Sequence, residues 1–283
     1  MNPQELPPHS ITLDRLEAAQ EALSAKLGSS RARKYARFVV AALSSIPWIG
    51  GVIGASASLS AERDQEEINE LHRTWLAEHQ EKARELASAF VDIFSRLESF
   101  GDEINERIES PEYLNLVKKC FRSWDEADTQ DKKQMLKKLI TNASAIKLCP
   151  DDLVRLFIAW IDQYHEAHFL VIKEIYRHPR STRAQIWDKI HGARPREDSA
   201  EADLFRYLIR DLSTGGVVRQ ERETDGYGNF YKKERALSRE NLSRVMESSF
   251  EDTKPYVLTA LGKQFVHYVM EDVVPQIGTQ VRV

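Results

Sequence analysis

The sequence predicts a mainly α protein: an N-terminal helical bundle with a long helix and a hydrophobic hairpin, followed by a smaller α+β domain. Three observations carry this. Only 12 glycines and 10 prolines punctuate 283 residues, too few for an all-β chain. Apolar residues recur at three- and four-residue spacing through most of the first 164 positions, the period of an amphipathic helix. Beyond them come short helices, a Gly215-Gly216 stop and β-rich segments around a glycine turn. With 42% hydrophobic and 30% charged residues the composition is that of a soluble folded protein, and a net charge of −4 excludes a uniformly basic nucleic-acid coat. Cys120 and Cys149 cannot build a disulfide framework and suit a reducing cytoplasm.

Residues 1–10 hold three prolines and read as a disordered lead-in without the apolar core of a secretory leader. Ile11 to Leu27 reads as a short amphipathic helix on Leu13, Leu16, Leu23 and Leu27, stopped at Gly28. Arg31, Arg33, Lys34 and Arg37 then precede 24 consecutive uncharged residues, Phe38 to Ala61. The run is long enough for a membrane span, but Pro47, Gly50 and Gly51 break one straight helix. Two short apolar arms around the turn Ile46-Pro47-Trp48-Ile49-Gly50-Gly51 make a hairpin instead. Gly50, Gly54 and Ser58 at four-residue spacing allow close helix approach. Two readings stand at this point: a hairpin buried in the bundle or facing a partner, and a conditional membrane element with its basic side cytoplasmic.

From Ala61 to Glu109 there is no proline and one glycine, so one very long helix, or two in line, is predicted. Leu86, Phe90, Ile93, Leu97, Phe100 and Ile104 step in a heptad-like seam, with a stutter between Trp75 and Leu86. Residues 61–112 carry 15 acidic and 6 basic side chains, which predicts a strongly acidic outward face on a solvated bundle helix, with a self-associating coiled coil, and so a homo-oligomer, as the alternative. Ser110-Pro111 opens the next helix, with Tyr113, Leu114, Val117, Phe121 and Trp124 inward. Asp128-Thr129 precedes another, buried through Met135, Leu136, Leu139 and Ile140 and expected to expose Lys132, Lys133, Lys137 and Lys138. Pro150 and its two aspartates open a last bundle helix through Leu153, Leu156, Phe157, Trp160 and Ile161. The bundle is thus placed at residues 11–164, with the apolar hairpin at 38–61. The stretches DKKQMLKKLITNA and DDLVRLFIAWIDQYHEAHFLVIKEIY resemble helical regions of bacterial abortive-infection and phage-defence proteins. That resemblance covers about a quarter of the chain; it implies a biological setting and brings no catalytic residues.

From His165 a first helix carries Phe169, Leu170, Ile172 and Ile175. Ser181 or Thr182 caps a second through Ala184, Ile186, Trp187 and Ile190, and a third points Leu204, Leu208, Ile209 and Leu212 inward. Val217-Val218-Arg219 begins a strand, and a turn over Asp225–Asn229 returns it along Phe230-Tyr231-Lys232-Lys233. After a polar insertion at 234–254, the segment Tyr256–Gly262 enters a final helix through Phe265, Val266 and Val269. Helices plus a β-ribbon, with LSTGGVVRQ and YVLTALGKQFV, resemble the winged-helix family, in particular multidrug-resistance-type and phenolic-acid-type transcriptional regulators. The match spans residues 165–271 and leaves 272–283 as a tail.

The resemblance implies a third helix in the major groove and a wing on the backbone. The nucleic-acid-contacting candidates are then Arg194, Arg196, Arg206, Arg210, Arg219, Arg222, Tyr227, Lys232 and Lys233. Against this, residues 178–235 carry 12 basic and 10 acidic side chains, Asp203 among them, so phosphate binding is expected to be weak and salt-sensitive. His165 and His168 share a helical face near Asp162 but lack a second ligand cluster; the reading is helix-junction packing and no metal. No phosphate loop, dinucleotide fingerprint, nucleophile elbow or zinc-protease signature is present, and neither an enzyme nor a cofactor is expected. The expectation is a non-enzymatic bacterial defence protein of the cytoplasm. A winged-helix sensor of DNA or a protein partner would be coupled to a helical effector that engages the membrane through the 38–61 hairpin on activation. The alternatives are a cytosolic transcriptional regulator dimerised by its helical half, with Arg206 and Arg210 on DNA, and an adaptor touching neither membrane nor nucleic acid.

Overall fold

The structure, a computed structural model, describes residues 33–49, 65–145, 150–222, 227 and 248–270, with backbone alone over 65–78. Among these residues eleven helices accompany one two-stranded antiparallel sheet. The chain divides into two compact units between Asp162 and Gln163. The helix predicted over Ile11–Leu27, the second hairpin arm with Gly50, Gly51 and Gly54, Cys149, and the predicted strand with Lys232 and Lys233 lie outside the described residues.

In the first unit, α1 (Ala36–Leu43) is uncharged after Arg37 because nearly every side of it is covered. Phe38 sits among Phe90, Phe94, Tyr113 and Phe121, with ring centroids 5.5–6.2 Å away, and Tyr35 stacks on Phe94 at 4.3 Å. At the end of α1 the Ser44 and Ser45 hydroxyls donate to the carbonyls of Ala41 and Ala42. Pro47 has no N–H to offer the Leu43 carbonyl, which accepts from the Ile46 N–H instead. Ile46 is buried, Pro47 exposed, and Trp48 and Ile49 half-buried. Trp48 Nε1 donates to Asp125 Oδ1 at 2.6 Å, and its ring stacks on His79 at 5.1 Å. The described arm of the uncharged run is therefore core.

Helix α2 (Gln65–Ser99) spans about 52 Å at 1.5 Å per residue. Leu86, Phe90, Ile93 and Leu97 are buried along the predicted seam, joined by Ala87, Ala89 and Phe94. The helix stops short of Glu109. Gly101 takes φ +78°, a backbone that glycine adopts at no steric cost, and a 3-10 turn at Asp102–Ile104 leads into α3 (Asn105–Glu109). In α4 (Pro111–Glu126), Ser110 Oγ accepts from the Tyr113 N–H and proline occupies the first helical position. The predicted lysine-rich exposed face of α5 (Gln130–Ala145) is overturned. Lys133 reaches Glu85 at 2.7 Å and lies over the Trp124 ring, Lys137 reaches Asp92 at 2.6 Å, and buried Lys132 pairs with Asp128 at 3.1 Å. The acids of α2 are thus partly neutralised by the neighbouring helix. Arg107 similarly pairs with Asp151 at the start of α6 (Asp151–Gln163).

The second unit runs through α7 (Glu166–Arg177), α8 (Arg183–Ile190), α9 (Ala200–Thr214), β1 (Val218–Gln220), β2 (Tyr256–Leu258) and α10 (Ala260–Val269). Thr182 and Gln185 form a reciprocal capping box at α8, and Ser199 and Thr259 cap α9 and α10. The segment Tyr256–Gly262 enters α10 as predicted, but its first three residues form a strand that the sequence pattern did not assign. That strand buries Tyr256 and Leu258 and half-buries Val257, a period of two. It pairs in register Val218↔Leu258, Arg219↔Val257 and Gln220↔Tyr256, while its other side meets Ser181 at Tyr256. The order across the sheet is Ser181, β2, β1. Gly262 permits the closure, because a Cβ there would collide with the Val217 carbonyl oxygen. Trp187 is packed by Phe205 and Phe250, at 5.3 and 5.1 Å, which pins residues 248–250 to the helical core.

Candidate recognition face

Four functional candidates of the second unit, Arg194, Arg196, Arg206 and Arg210, lie on α9 and the loop before it, and three of them are paired with carboxylates of the chain. Arg194 forks onto Asp188 with Nε–Oδ1 at 2.8 Å and Nη2–Oδ2 at 2.6 Å. Arg196 does the same with Asp198 at 2.9 and 2.8 Å. Arg206 reaches Asp203 at 3.1 Å and Glu197 at 3.5 Å, and Arg180 clasps Glu221 at 2.7 and 2.8 Å. The guanidinium hydrogen bonds hold the Asp188 and Asp198 carboxyls below their usual range. Arg210 differs: it is exposed, and no carboxylate of the described residues pairs with it. Arg219 and Arg222 are exposed on and just after β1, and Tyr227 is 95% exposed.

The outward side of α9 carries apolar as well as charged side chains. Leu204, expected inward, is 53% exposed, and Tyr207 is 48% exposed. The core stripe runs instead through Ala202, Phe205, Leu208, Ile209 and Leu212. Phe205 fills the place assigned to Leu204, because the buried arc is centred nearly a third of a turn away. Leu170, Tyr176, Leu204, Tyr207 and Tyr227 make up five of the seven exposed large hydrophobic residues described, all in this unit. Asp203 and Glu201 stand in the first turn of α9, where they favour the helix dipole and disfavour a phosphate.

Behind this face lies the histidine pair. His168 is 1% exposed, stacks on Tyr164 at 5.0 Å and meets the Tyr207 ring edge-on at 6.1 Å. Its Nδ1 accepts from the His165 backbone N–H at 3.1 Å, and its Nε2 lies 3.2 Å from Asp211 Oδ2. Burial pushes the imidazole below its ordinary pKa, against the pull of Asp211. These contacts fix the ring that supports Tyr207. Among the described residues, no three His, Cys, Asp or Glu side chains converge as metal ligands. Sequence reasoning did not single out Tyr207 and counted Asp203 only as one acid among several. The signal was an apolar–charged stripe at spacings of three and four, outside the core arc.

Comparison with known proteins returns no matching family model, no matching curated protein and no matching solved structure.

Proposed function

We propose that residues 163–271 form a winged-helix recognition module whose third helix, α9, meets a protein surface, and that the helical bundle is its effector or scaffold. The winged-helix reading is supported by the element order and by the strand order Ser181, β2, β1. In this reading β1 and β2 frame the base of the wing, and the predicted return strand Phe230–Lys233 lies outside the described residues. One observation carries the protein-recognition reading: Arg180, Arg194, Arg196 and Arg206 are bound to the module's own carboxylates. Phosphate affinity grows with the number of cations free to replace counterions, and the pairing of these four arginines lowers that number among the described residues. Exposed Leu204 and Tyr207 supply the apolar contact that a protein partner rewards.

The resemblance of the helical half to abortive-infection proteins makes a defence sensor the setting of this reading. A membrane step that used α1 would first have to release it from the bundle core, where Phe38, Val39, Ala42 and Leu43 are buried. No helix of the described residues is long and apolar enough to cross a membrane. A second reading, DNA contact, is favoured by exposed Arg210 and by Tyr227 near the wing. Fluorescence anisotropy with duplex DNA over a salt series separates the two. The expected outcome is binding no stronger than non-specific at low salt, unchanged in Arg210→Ala. Saturable binding that Arg210→Ala weakens would replace the protein-recognition reading with the regulator.

A further inference from the structure

We infer that the partner of α9 is a second copy of this chain, docked antiparallel about a two-fold axis between residues 206 and 207. The inference rests on the protein-recognition reading and names its partner. At 100° per residue, Asp203, Tyr207 and Arg210 fall within an arc of about 60° on the outward side of α9, with Leu204 on one flank. Asp203 and Arg210 are separated by seven residues, about 10 Å along the axis, and lie symmetrically about that midpoint. Antiparallel apposition therefore sets Asp203 of each copy opposite Arg210 of the other and brings the two Tyr207 rings together near the axis. Such a face is self-complementary, the condition for an isologous dimer.

The local chemistry agrees. Arg210 alone among the arginines of α9 and its preceding loop lacks a carboxylate among the described residues. Asp203 engages Arg206 through Oδ1 and is mostly exposed, which leaves Oδ2 for an incoming guanidinium. Tyr207 is held from behind by His168, so it enters the contact already ordered and loses little side-chain entropy. An acid, an apolar pair and a base in this sequence match their own reverse, and a heterologous partner would have no need of that symmetry.

Sedimentation velocity on the full chain over a concentration series tests it, with Asp203→Arg and Arg210→Asp as separate variants. The wild type is expected to dimerise. Each variant places like charges opposite each other twice per dimer and should raise the dissociation constant about tenfold or more. An equimolar mixture of the two variants should recover dimer. In the mixed pair one copy carries arginine at both positions 203 and 210 and the other carries aspartate at both, so each of the two contacts is complementary again. That recovery also shows that both variants are folded. A wild type that stays monomeric overturns the second-copy inference and leaves the protein-recognition reading to the DNA titration. A dimer indifferent to both reversals, or variants not rescued by mixing, overturns it as well.

Discussion

At the residue scale, His168 shows how one side chain serves both fold and surface. Its Nδ1 takes the first-turn role of a capping acceptor, its ring fills the space between Tyr164 and Tyr207, and Nε2 faces Asp211. The titratable groups around it are His165, Asp211 and the two tyrosines. Because its folded pKa lies below the ordinary 6.5, the unfolded chain takes up a proton first as pH falls. The second unit is therefore most stable above pH 6.5 and loses stability below it, at about 1.4 kcal/mol for each unit between folded and unfolded pKa. Urea unfolding of residues 163–271 followed by Trp187, at steps from neutral to acidic pH, should show this slope. His168→Gln should flatten it while lowering the plateau, and a slope unchanged in the variant would mean another group is responsible. The residue pair at 165 and 168 was visible in the sequence as helical spacing. Its partners were not, because Asp211 and Tyr207 approach from a helix some forty positions away.

At the element scale, the uncharged run from Phe38 shows what composition cannot decide. An apolar segment with no polar face suits a lipid-facing arm and a fully buried helix equally well, since both are dry all round. Only the aromatic side chains around Phe38 resolve α1 as core. Phe38→Ala should therefore cost about 3–5 kcal/mol in chemical denaturation of the protein in water, the loss for a large aromatic truncated in a packed interior. A change below about 1 kcal/mol would place the side chain outside the core and return α1 to the membrane hypothesis. Other elements were readable to the residue where local chemistry sets them: Ser110-Pro111 starts α4, and Gly215-Gly216 follows α9. The β2 strand was missed because three residues carry too little alternation to outweigh a following helix. The pairing that decides it, Leu258 against Val218, joins distant segments, and no local pattern announces such a contact.

At the scale of the whole molecule, the division after Asp162 separates two sets of core residues. Phe38, Phe90, Phe121, Phe157 and Ile161 belong to the first unit, and Ile172, Trp187, Phe205, Phe250 and Phe265 to the second. The charges divide in the same way: the acids of α2 are met by lysines of α5, and the arginines around α9 by carboxylates of their own unit. A unit that closes its own core and satisfies its own charges should fold alone. The fragment 163–271 tests this, with Trp187 as its sole tryptophan and a built-in probe. The indole is buried against Phe205 and Phe250, and its Nε1 donates to the Ala193 carbonyl. The fragment should therefore show blue-shifted emission and one cooperative urea transition. Phe250→Ala in the same fragment should lower the unfolding free energy by about 3–5 kcal/mol, since that ring ties the segment before β2 to α8 and α9. Solvent-like emission without a cooperative transition would mean that the second core depends on the bundle, and the recognition face would then have to be studied only in the intact chain.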